Sequence, residues 1–274
     1  MQPTPEALDL LRPIGWPDDG ARREALAAAP GARLARVVGQ HRTAYEVKLG
    51  TDEDPRRVQA PPAWGRPRFP TEQRAAVGDW VTLDEKLTQI AALLPRRSVL
   101  KRGAAGEHYR QQLIAANVDT VFVVCGLDLD FNPRRIERYL LLVRGGAEPV
   151  VVLTKADLAA ADPATAPEAD ATRAMLAEQG VAVCTVNAKD PASVAQLVPW
   201  LQPGRTAVLV GSSGAGKSTL TNTLLGEERM KTNAVREHDS RGRHTTTFRV
   251  LTPLPQGGCL IDTPGMREVK LSGD

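Results

Sequence analysis

The spacing of hydrophobic residues changes along the chain near Asn117. Before that point, short segments rich in Val, Tyr, Trp and Thr are bounded by Gly, Asp and Pro, which is typical of antiparallel strands. The four clearest segments are RLARVVGQ, RTAYEVKL, VGDWVTLD and TQIAALLP. They predict a small all-β barrel of the OB-fold kind at residues 33–103, preceded by a loosely held N-terminal arm at residues 1–32.

A proline-rich segment separates the second and third of these strands. Residues 50–76 contain five prolines. Proline cannot donate to a strand ladder, so it is excluded from the centre of a sheet. The segment is therefore predicted to be a long, irregular surface loop rather than a set of central strands.

After Asn117, apolar strands alternate with amphipathic helical stretches. The predicted strands are VDTVFVVCG, PVVVLT, VAVCTVN and TAVLVG, and the predicted helices are RRIERYLLLVRGG, DATRAMLAEQG, PASVAQLVPWLQPG and GKSTLTNTLLGEE. Strands that are apolar on both faces require cover on both sides, so this alternation predicts a parallel sheet between helices. The predicted fold class is an all-β barrel followed by an α/β domain at residues 104–274.

The composition is that of an ordinary globular protein, with 42% hydrophobic and 24% charged residues. Apolar runs fall short of the roughly 20 residues that span a bilayer, and the N-terminus lacks a secretory signal. We therefore expect a cytoplasmic protein with no membrane partner, and a monomer. The cysteines Cys125, Cys184 and Cys259 lack metal-ligand spacing and are predicted to be buried and reduced. Basic clusters in PRRSVLKR and PRRIER allow an anionic partner, although such clusters are also typical of solvated surface.

One motif predicts a phosphate-binding loop. Gly211, Gly216, Lys217 and Ser218 fill the GxxxxGK[ST] pattern between an apolar strand and a helix. The glycines let successive N–H groups face phosphates at a helix N-terminus, while Lys217 bridges the β- and γ-phosphates and Ser218 coordinates Mg²⁺. The predicted contacts of this loop are Gly211, Ser212, Ser213, Gly214, Ala215, Gly216, Lys217, Ser218 and Thr219. The alternative is a glycine-rich turn that binds no ligand.

Two loops that precede this motif are candidates for base recognition. Thr154, Lys155 and Asp157 follow a strand, at the position where ligands bind in open α/β folds. The Asp157 carboxylate can accept two hydrogen bonds from guanine, whereas adenine lacks this pair of donors. The Lys155 stem would cover the face of the base. Asn187 and Ala188 follow the next strand and would donate a backbone N–H to the guanine oxygen. Alternatively, Lys155 and Asp157 of the first loop only begin a helix and bind no base.

Two further motifs follow the phosphate loop. Asp262 ends a strand and is placed to hold Mg²⁺ through water, and the Gly265 N–H would meet the γ-phosphate. Thr246 lies in a run of threonines and would reach the metal when a γ-phosphate is present, so the predicted metal ligands are Ser218, Thr246 and Asp262. Taken alone, HTTT is also a good start for a strand.

Along the chain, the two candidate base-recognition loops (G4 and G5) come before the phosphate loop (G1), the threonine run (G2) and the DTPG motif (G3). The order is therefore G4-G5-G1-G2-G3, in which base recognition precedes the phosphate loop. A linkage that joins the old chain ends, with new ends elsewhere, preserves every contact of the fold. The α/β domain is therefore predicted to be a circularly permuted P-loop GTPase domain, with WLQPG at residues 200–204 as the joining segment.

The ordered set of motifs resembles the ribosome small-subunit-dependent GTPases of the RsgA/YjeQ type across residues 33–268. The residues that carry the resemblance are AVGDWV, LPRRSVLKR, QLIAANVDTVFVV, TKAD, GSSGAGKSTL, GRHTTT and DTPGMRE. The resemblance implies an OB-fold that binds rRNA, GTP or GDP with Mg²⁺, the 30S subunit as partner, and ribosome-stimulated hydrolysis in late subunit maturation. The alternatives are a GTP-gated 30S-binding module with little hydrolysis, and an ATPase of another P-loop class.

The resemblance also bears on the catalytic group and on zinc. Met266 stands where many GTPases place a glutamine that orients the attacking water. His244, in GRHTTT, is the candidate catalytic residue, and the alternative is that it packs against RNA or its own loop. Family members usually continue into a zinc-binding module, whereas this sequence stops at Asp274, so we expect a shortened C-terminal end and no zinc ligands.

Overall fold

The computed structural model describes residues 8–17, 19–29, 31–41, 44–50, 54–103, 111–128, 131–143, 146–159, 166–226 and 250–262. The strands are β1 (Arg33–Gln40), β2 (Ala44–Lys48), β3 (Arg56–Gln59), β4 (Trp80–Leu83), β5 (Ile90–Leu93), β6 (Val99–Gly103), β7 (Gln111–Ala116), β8 (Thr120–Gly126), β9 (Glu148–Thr154), β10 (Ala182–Thr185), β11 (Thr206–Gly211), β12 (Val250–Pro253) and β13 (Cys259–Asp262). The α-helices are α1 (Gly20–Ala27), α2 (Pro133–Leu142), α3 (Ala156–Ala159), α4 (Ala166–Glu178), α5 (Pro191–Val194) and α6 (Lys217–Leu225). The 3₁₀ helices are Arg12–Ile14, Pro62–Gly65, Thr71–Gln73 and Ala195–Trp200.

Eleven of the described strands form one sheet. Its main path runs β10-β9-β8-β11-β13-β12-β1-β2-β3, while β4 joins through β1 and β5 through β4. Strands β10, β9, β8, β11 and β13 run parallel to one another, and β12 is antiparallel to β13. The strand that enters the phosphate loop, β11, therefore lies between a strand from an earlier part of the chain and one from a later part.

The parallel sheet is covered on both faces, as the alternation of apolar strands and helices predicts. Along β8, Val121 and Val123 belong to one buried cluster, and Phe122 and Val124 belong to another. Helix α2 covers the first face, and α6 covers the second through Leu220 and Leu224. The carboxyl ends of β8, β9, β11 and β13 consequently meet at a single edge of the sheet.

The barrel strand β1 is buried on both faces because it belongs to two packing layers. Ala35 and Val37 pack into the barrel core, whereas Leu34 and Val38 join the cluster of the α/β domain. At its far end β1 pairs with β12 through Gly39 and Val250. One continuous sheet therefore runs from the barrel into the α/β domain, and the domain boundary at residues 103/104 stays a prediction.

The proline-rich segment contains a strand that the sequence analysis does not predict. Residues 56–59 form β3, which pairs with β2 and ends the main path of the sheet. Proline is absent from these four residues and immediately precedes them. Exclusion of proline from central positions does not exclude such an edge strand.

The predicted third helix of the α/β domain is also different in the structure. Instead of one helix, α5 is followed by the 3₁₀ helix Ala195–Trp200, which contains Pro199. Proline lacks the N–H that an α-helix needs and its ring clashes with the preceding turn. The chain therefore tightens into 3₁₀ geometry before it enters residues 201–204.

The described part of the N-terminal arm is packed rather than loosely held, which corrects the expectation for it. Leu8, Leu11, Ile14, Trp16 and Leu26 are all buried in the cluster that also contains Trp80. The Trp16 and Trp80 rings meet edge to face with centroids 4.8 Å apart. Burial of these large side chains between the barrel and the α/β domain outweighs the weak local pattern of the segment.

A buried polar network holds this junction. Arg36 of β1 is fully buried, and it donates from Nη1 to the Ile14 carbonyl oxygen at 2.6 Å and from Nε to the Gly78 carbonyl oxygen at 3.2 Å. Asn117 donates to the same Gly78 carbonyl oxygen at 3.0 Å and accepts from the Arg22 guanidinium. Burial lowers the pKa of Arg36. The hydrogen bonds to carbonyl oxygens compensate the free-energy cost of burying the charged guanidinium.

The described residues include all three cysteines of the chain. Cys125, Cys184 and Cys259 are buried thiols outside any disulfide, as predicted. Within the described residues, no helix is both long and apolar enough to cross a membrane.

Candidate nucleotide-binding site

The phosphate loop leaves the sheet at the end of β11 and enters α6. Gly214 and Gly216 have left-handed φ angles of 82° and 95°, which turn the loop back toward the helix. Gly211 packs against β8 so closely that an added Cβ would lie inside 3.0 Å of the Val124 carbonyl oxygen. This cradle therefore requires glycine, and it presents the N-terminus of α6 at the edge of the sheet.

Lys217 is directed back into this loop. Its ammonium group donates to the carbonyl oxygens of Gly211 and Ser212, at 2.7 Å and 2.5 Å. Ser218 and Thr219 follow in the first turn of α6 and are partly exposed, as are Ser212 and Lys217. The loop thus keeps its cationic and hydroxyl groups at the surface where an anion would bind.

The first base-recognition loop is bonded directly to the phosphate loop. Thr154, the last residue of β9, is fully buried and its hydroxyl donates to the Ala215 carbonyl oxygen at 2.6 Å. Gly216 packs beside the same hydroxyl. The Thr154 side chain therefore supports the loop from within, while Asp157 stands exposed in the first turn of α3.

Lys155, between those two residues, has a constrained conformation. Its φ angle is +61°, a left-handed value that is uncommon for a residue with a side chain. Its ammonium group forms an ion pair with Asp128, which follows the neighbouring strand β8. Both side chains are partly exposed.

The second base-recognition loop is bonded to the phosphate-loop helix. The Thr223 hydroxyl of α6 donates to the Ala188 carbonyl oxygen at 2.6 Å. The backbone of Asn187 is fixed in turn, because its N–H donates to the Ser193 hydroxyl at 2.9 Å and its side chain accepts from the Lys189 N–H at 3.1 Å. The loop at residues 187–189 is therefore held against the same helix that begins at Lys217.

The predicted metal ligands Ser218 and Asp262 lie at the same edge of the sheet. Asp262 ends β13, which runs parallel to β11 with Val208 opposite Ile261. A hydroxyl and a carboxylate are the hard oxygen donors that suit Mg²⁺. The donor chemistry of these two residues therefore fits the ion that the phosphate loop implies.

Three predicted site residues lie outside the described residues. They are the candidate catalytic His244, the switch residue Thr246 and Gly265. Their roles stay predictions, as does the expectation that zinc ligands are absent. The described residues nevertheless bring both base-recognition loops, the phosphate loop and Asp262 to one edge.

Several residues that hold the site were not predicted from the sequence. Thr223 and Ser193 lie in helices. Nothing in the sequence distinguishes their hydroxyl groups from those of ordinary polar residues on a helix surface. Asp128 offered a clearer signal, since it follows the apolar run of β8 at the end of a strand, where functional side chains of α/β sheets lie.

Known proteins resemble this chain across most of its length. Residues 93–272 match the family model described as RsgA GTPase. The small ribosomal subunit biogenesis GTPase RsgA of Xanthomonas campestris is 63% identical over 280 residues, covering 100% of this chain and 75% of that protein. The protein of the same name from Xanthomonas oryzae is 64% identical over 270 residues, covering 96% of this chain and 72% of that protein.

Solved structures resemble the fold. YjeQ from Thermotoga maritima matches with a TM-score of 0.62 at 22% identity, covering 88% of this chain and 77% of that one. YloQ, described as a circularly permuted GTPase, matches with a TM-score of 0.59 at 20% identity, covering 88% of this chain and 74% of that one. The predicted fold class, including the circular permutation, is confirmed.

Proposed function

The chain belongs to the RsgA GTPase family, and we propose that it hydrolyses GTP to GDP and phosphate in step with late maturation of the 30S ribosomal subunit. The observation that carries this proposal is the pair of hydrogen bonds from Thr154 to Ala215 and from Thr223 to Ala188. They hold the two base-recognition loops against the phosphate loop and its helix. A single nucleotide can then contact all of these loops at once.

Each loop has a distinct task in this proposal. Backbone N–H groups of residues 211–219 bind the phosphates, and Lys217 leaves the carbonyl oxygens of Gly211 and Ser212 to meet the β- and γ-phosphates. Asp157 accepts two hydrogen bonds from guanine. The Ala188 region donates to the guanine oxygen, and the Lys155 stem covers the base.

A magnesium ion would be held by Ser218 and Asp262, with Thr246 as a further predicted ligand. When bound, Mg²⁺ neutralises charge that develops on the phosphate oxygens. The residues of this chain then supply orientation, since the phosphate loop fixes the reacting phosphate relative to the attacking water.

His244 is proposed to orient that water, because Met266 offers no hydrogen-bonding group at the position where many GTPases place glutamine. Hydrolysis by the protein alone is then slow, and the 30S subunit accelerates it by placing His244 against the attacking water. Replacing His244 with Ala is expected to abolish the stimulated rate while leaving GDP affinity unchanged.

The barrel is proposed to bind rRNA. Arg56 and Arg57 on the edge strand β3 are exposed, as are Arg66 and Arg68 in the following segment. By contrast, Arg96 of the PRRSVLKR cluster is bound to Asp79, and Arg97 is bound to Asp119. The exposed arginines of residues 56–68 are therefore better placed to bind phosphates than Arg96 and Arg97.

Strand pairing supports coupling between the barrel and the nucleotide. β12 follows the switch segment, and it pairs on one side with β13, which ends at Asp262, and on the other side with β1 of the barrel. A change in the switch segment is thereby passed to the barrel through a shared ladder. We expect the protein to act as a cytoplasmic monomer that engages one subunit.

The test is phosphate release from GTP with and without purified 30S subunits. We expect a low basal rate, a large stimulation, and loss of both in Lys217→Ala. The matched control Lys86→Ala removes an exposed barrel lysine and should leave GDP binding unchanged. Unaltered turnover in Lys217→Ala would refute the site, and equal affinities for GTP and ATP would refute guanine recognition by Asp157.

A further inference from the structure

We propose that Asp128 is a positioning residue that holds Lys155 in place for guanine-nucleotide binding. This inference rests on the proposed function and adds a specificity-determining residue to the same site. Asp128 lies two residues beyond β8, outside the loops that the sequence motifs identify. Its contribution comes from the neighbouring strand rather than from the base-recognition loop itself.

The sheet register places the two residues together. β8 and β9 are parallel, and Gly126 lies opposite Thr154 where both strands end. The Leu127 N–H donates to the Thr154 carbonyl oxygen at 2.9 Å, so the pairing continues past the strand. Asp128 and Lys155 therefore leave the sheet side by side, and their side chains form an ion pair.

The Lys155 stem lies across the end of β8. A Cβ built on Gly126 would be 3.4 Å from both Cδ and Cε of Lys155 and 3.1 Å from a carboxylate oxygen of Asp128. The ion pair between the Lys155 ammonium group and Asp128 thus holds the methylene groups of Lys155 against the edge of the sheet. A methylene stem held in this way is the apolar surface on which a purine ring can stack.

The backbone of Asp128 is itself anchored. The Phe131 N–H donates to the Asp128 carbonyl oxygen at 2.8 Å, and Phe131 packs against the main buried cluster. On the other side, the left-handed backbone of Lys155 sets the direction in which its stem leaves the chain. Both ends of the ion pair are consequently anchored before any nucleotide arrives.

The pair is better suited to positioning than to stability. Its side chains are 29% and 28% exposed, and ion pairs with such solvent access contribute little to folding. A free lysine side chain, however, loses rotamer freedom when it is ordered against a ligand. Because Asp128 orders Lys155 in advance, that loss does not weaken nucleotide binding.

The test is a double-mutant cycle on GDP affinity and on the KM and kcat for GTP. Asp128→Asn should raise the GDP dissociation constant and the KM for GTP by about two- to tenfold, with kcat unchanged. Lys155→Met keeps an unbranched apolar stem but removes the ammonium. In the Lys155→Met background, Asp128→Asn should cause no further loss.

Three controls separate positioning from a general structural effect. Asp128→Glu retains the carboxylate and should bind GDP within about twofold of the parent. Asp170→Asn breaks a comparable ion pair with Arg173 on α4 and should leave GDP binding unaltered. The midpoint of thermal unfolding should be the same in Asp128→Asn as in the parent.

The outcomes are distinguishable. If the parent binds no GDP and releases no phosphate, the proposed function fails. If the parent does both and Asp128→Asn matches it or binds GDP more tightly, only the positioning role fails. A loss that persists in the Lys155→Met background would likewise overturn it, because Asp128 would then act through another group.

Discussion

The Thr154 hydroxyl donates a 2.6 Å hydrogen bond to the Ala215 carbonyl oxygen across 61 residues of chain. Thr154 ends the strand that leads into TKAD, and Ala215 lies within the phosphate loop. The two loops are inverted in chain order, yet they share a buried contact. Strand adjacency, rather than sequence order, therefore sets the geometry of the nucleotide site.

This contact predicts the effect of removing the hydroxyl. Thr154→Val leaves the Ala215 carbonyl oxygen without its buried donor, which should lower the free energy of unfolding by about 1–3 kcal/mol. The phosphate loop also loses its support, so GDP affinity should fall. Urea unfolding and GDP titration measure the two effects. Thr154→Ser keeps the hydroxyl and should bind GDP like the parent; equal GDP affinity for Val and Ser would contradict the supporting role.

The close approach of Gly211 to β8 gives a second prediction. Gly211→Ala forces a Cβ against the Val124 carbonyl oxygen, so we expect loss of GDP binding and an overpacking cost of about 1–3 kcal/mol. Gly214→Ala is the matched control, because its added Cβ meets nothing within 4 Å and only the left-handed backbone is strained, by about 1–2 kcal/mol. Urea unfolding should show Gly211→Ala as the less stable protein, and the reverse order would contradict the clash.

The buried guanidinium at the barrel junction gives a third prediction. Arg36→Leu removes the penalty of burying a charge, but it leaves the Ile14 carbonyl oxygen without its donor, at about 1–3 kcal/mol. The Gly78 carbonyl oxygen loses one of its two donors and keeps the hydrogen bond from Asn117. We expect a net loss of about 1 kcal/mol or more in unfolding free energy, with faster proteolysis of the N-terminal segment. Arg33→Leu changes an exposed arginine of the same strand and should shift stability by less than about 0.5 kcal/mol. Similar effects of the two substitutions would argue against the network.

The buried Cys259 thiol leads us to predict that the free energy of unfolding falls in alkaline solution. Burial raises its pKa to about 11, opposed by nearby Arg36, and the thiol donates to the Pro13 carbonyl oxygen at 3.3 Å. The unfolded thiol ionises near its ordinary value of 9.0, so the unfolded state is favoured as pH rises between these two values. Stability from this group is present below pH 9 and falls by about 2–3 kcal/mol by pH 11.

Cys259→Ser isolates that contribution, because the hydroxyl does not titrate in this range and can still donate to Pro13. Denaturant midpoints measured from pH 8 to about pH 11 should fall less steeply for the serine variant than for the parent. Parallel curves would show that the thiol is not protected from ionisation in the folded protein.

The sequence alone determined the local elements and the chemistry of the main motifs. Apolar spacing marked the strands that build the parallel sheet, and the GxxxxGK[ST] pattern at Gly211, Lys217 and Ser218 predicts a phosphate loop. These features are predictable because they depend on short-range periodicity and on residue types at fixed spacing. Their inverted order was enough to predict the circular permutation.

Only the tertiary structure decided how these elements meet. The ion pair of Lys155 with Asp128, the hydrogen bond of Thr223 to Ala188 and that of Arg36 to Gly78 join residues that are 27, 35 and 42 positions apart in the chain. Such contacts depend on which distant segments become neighbours in the sheet, and short-range periodicity does not specify that. The packing of the N-terminal segment has the same origin, since its apolar side chains belong to a buried cluster whose other members come from the barrel and from the α/β domain.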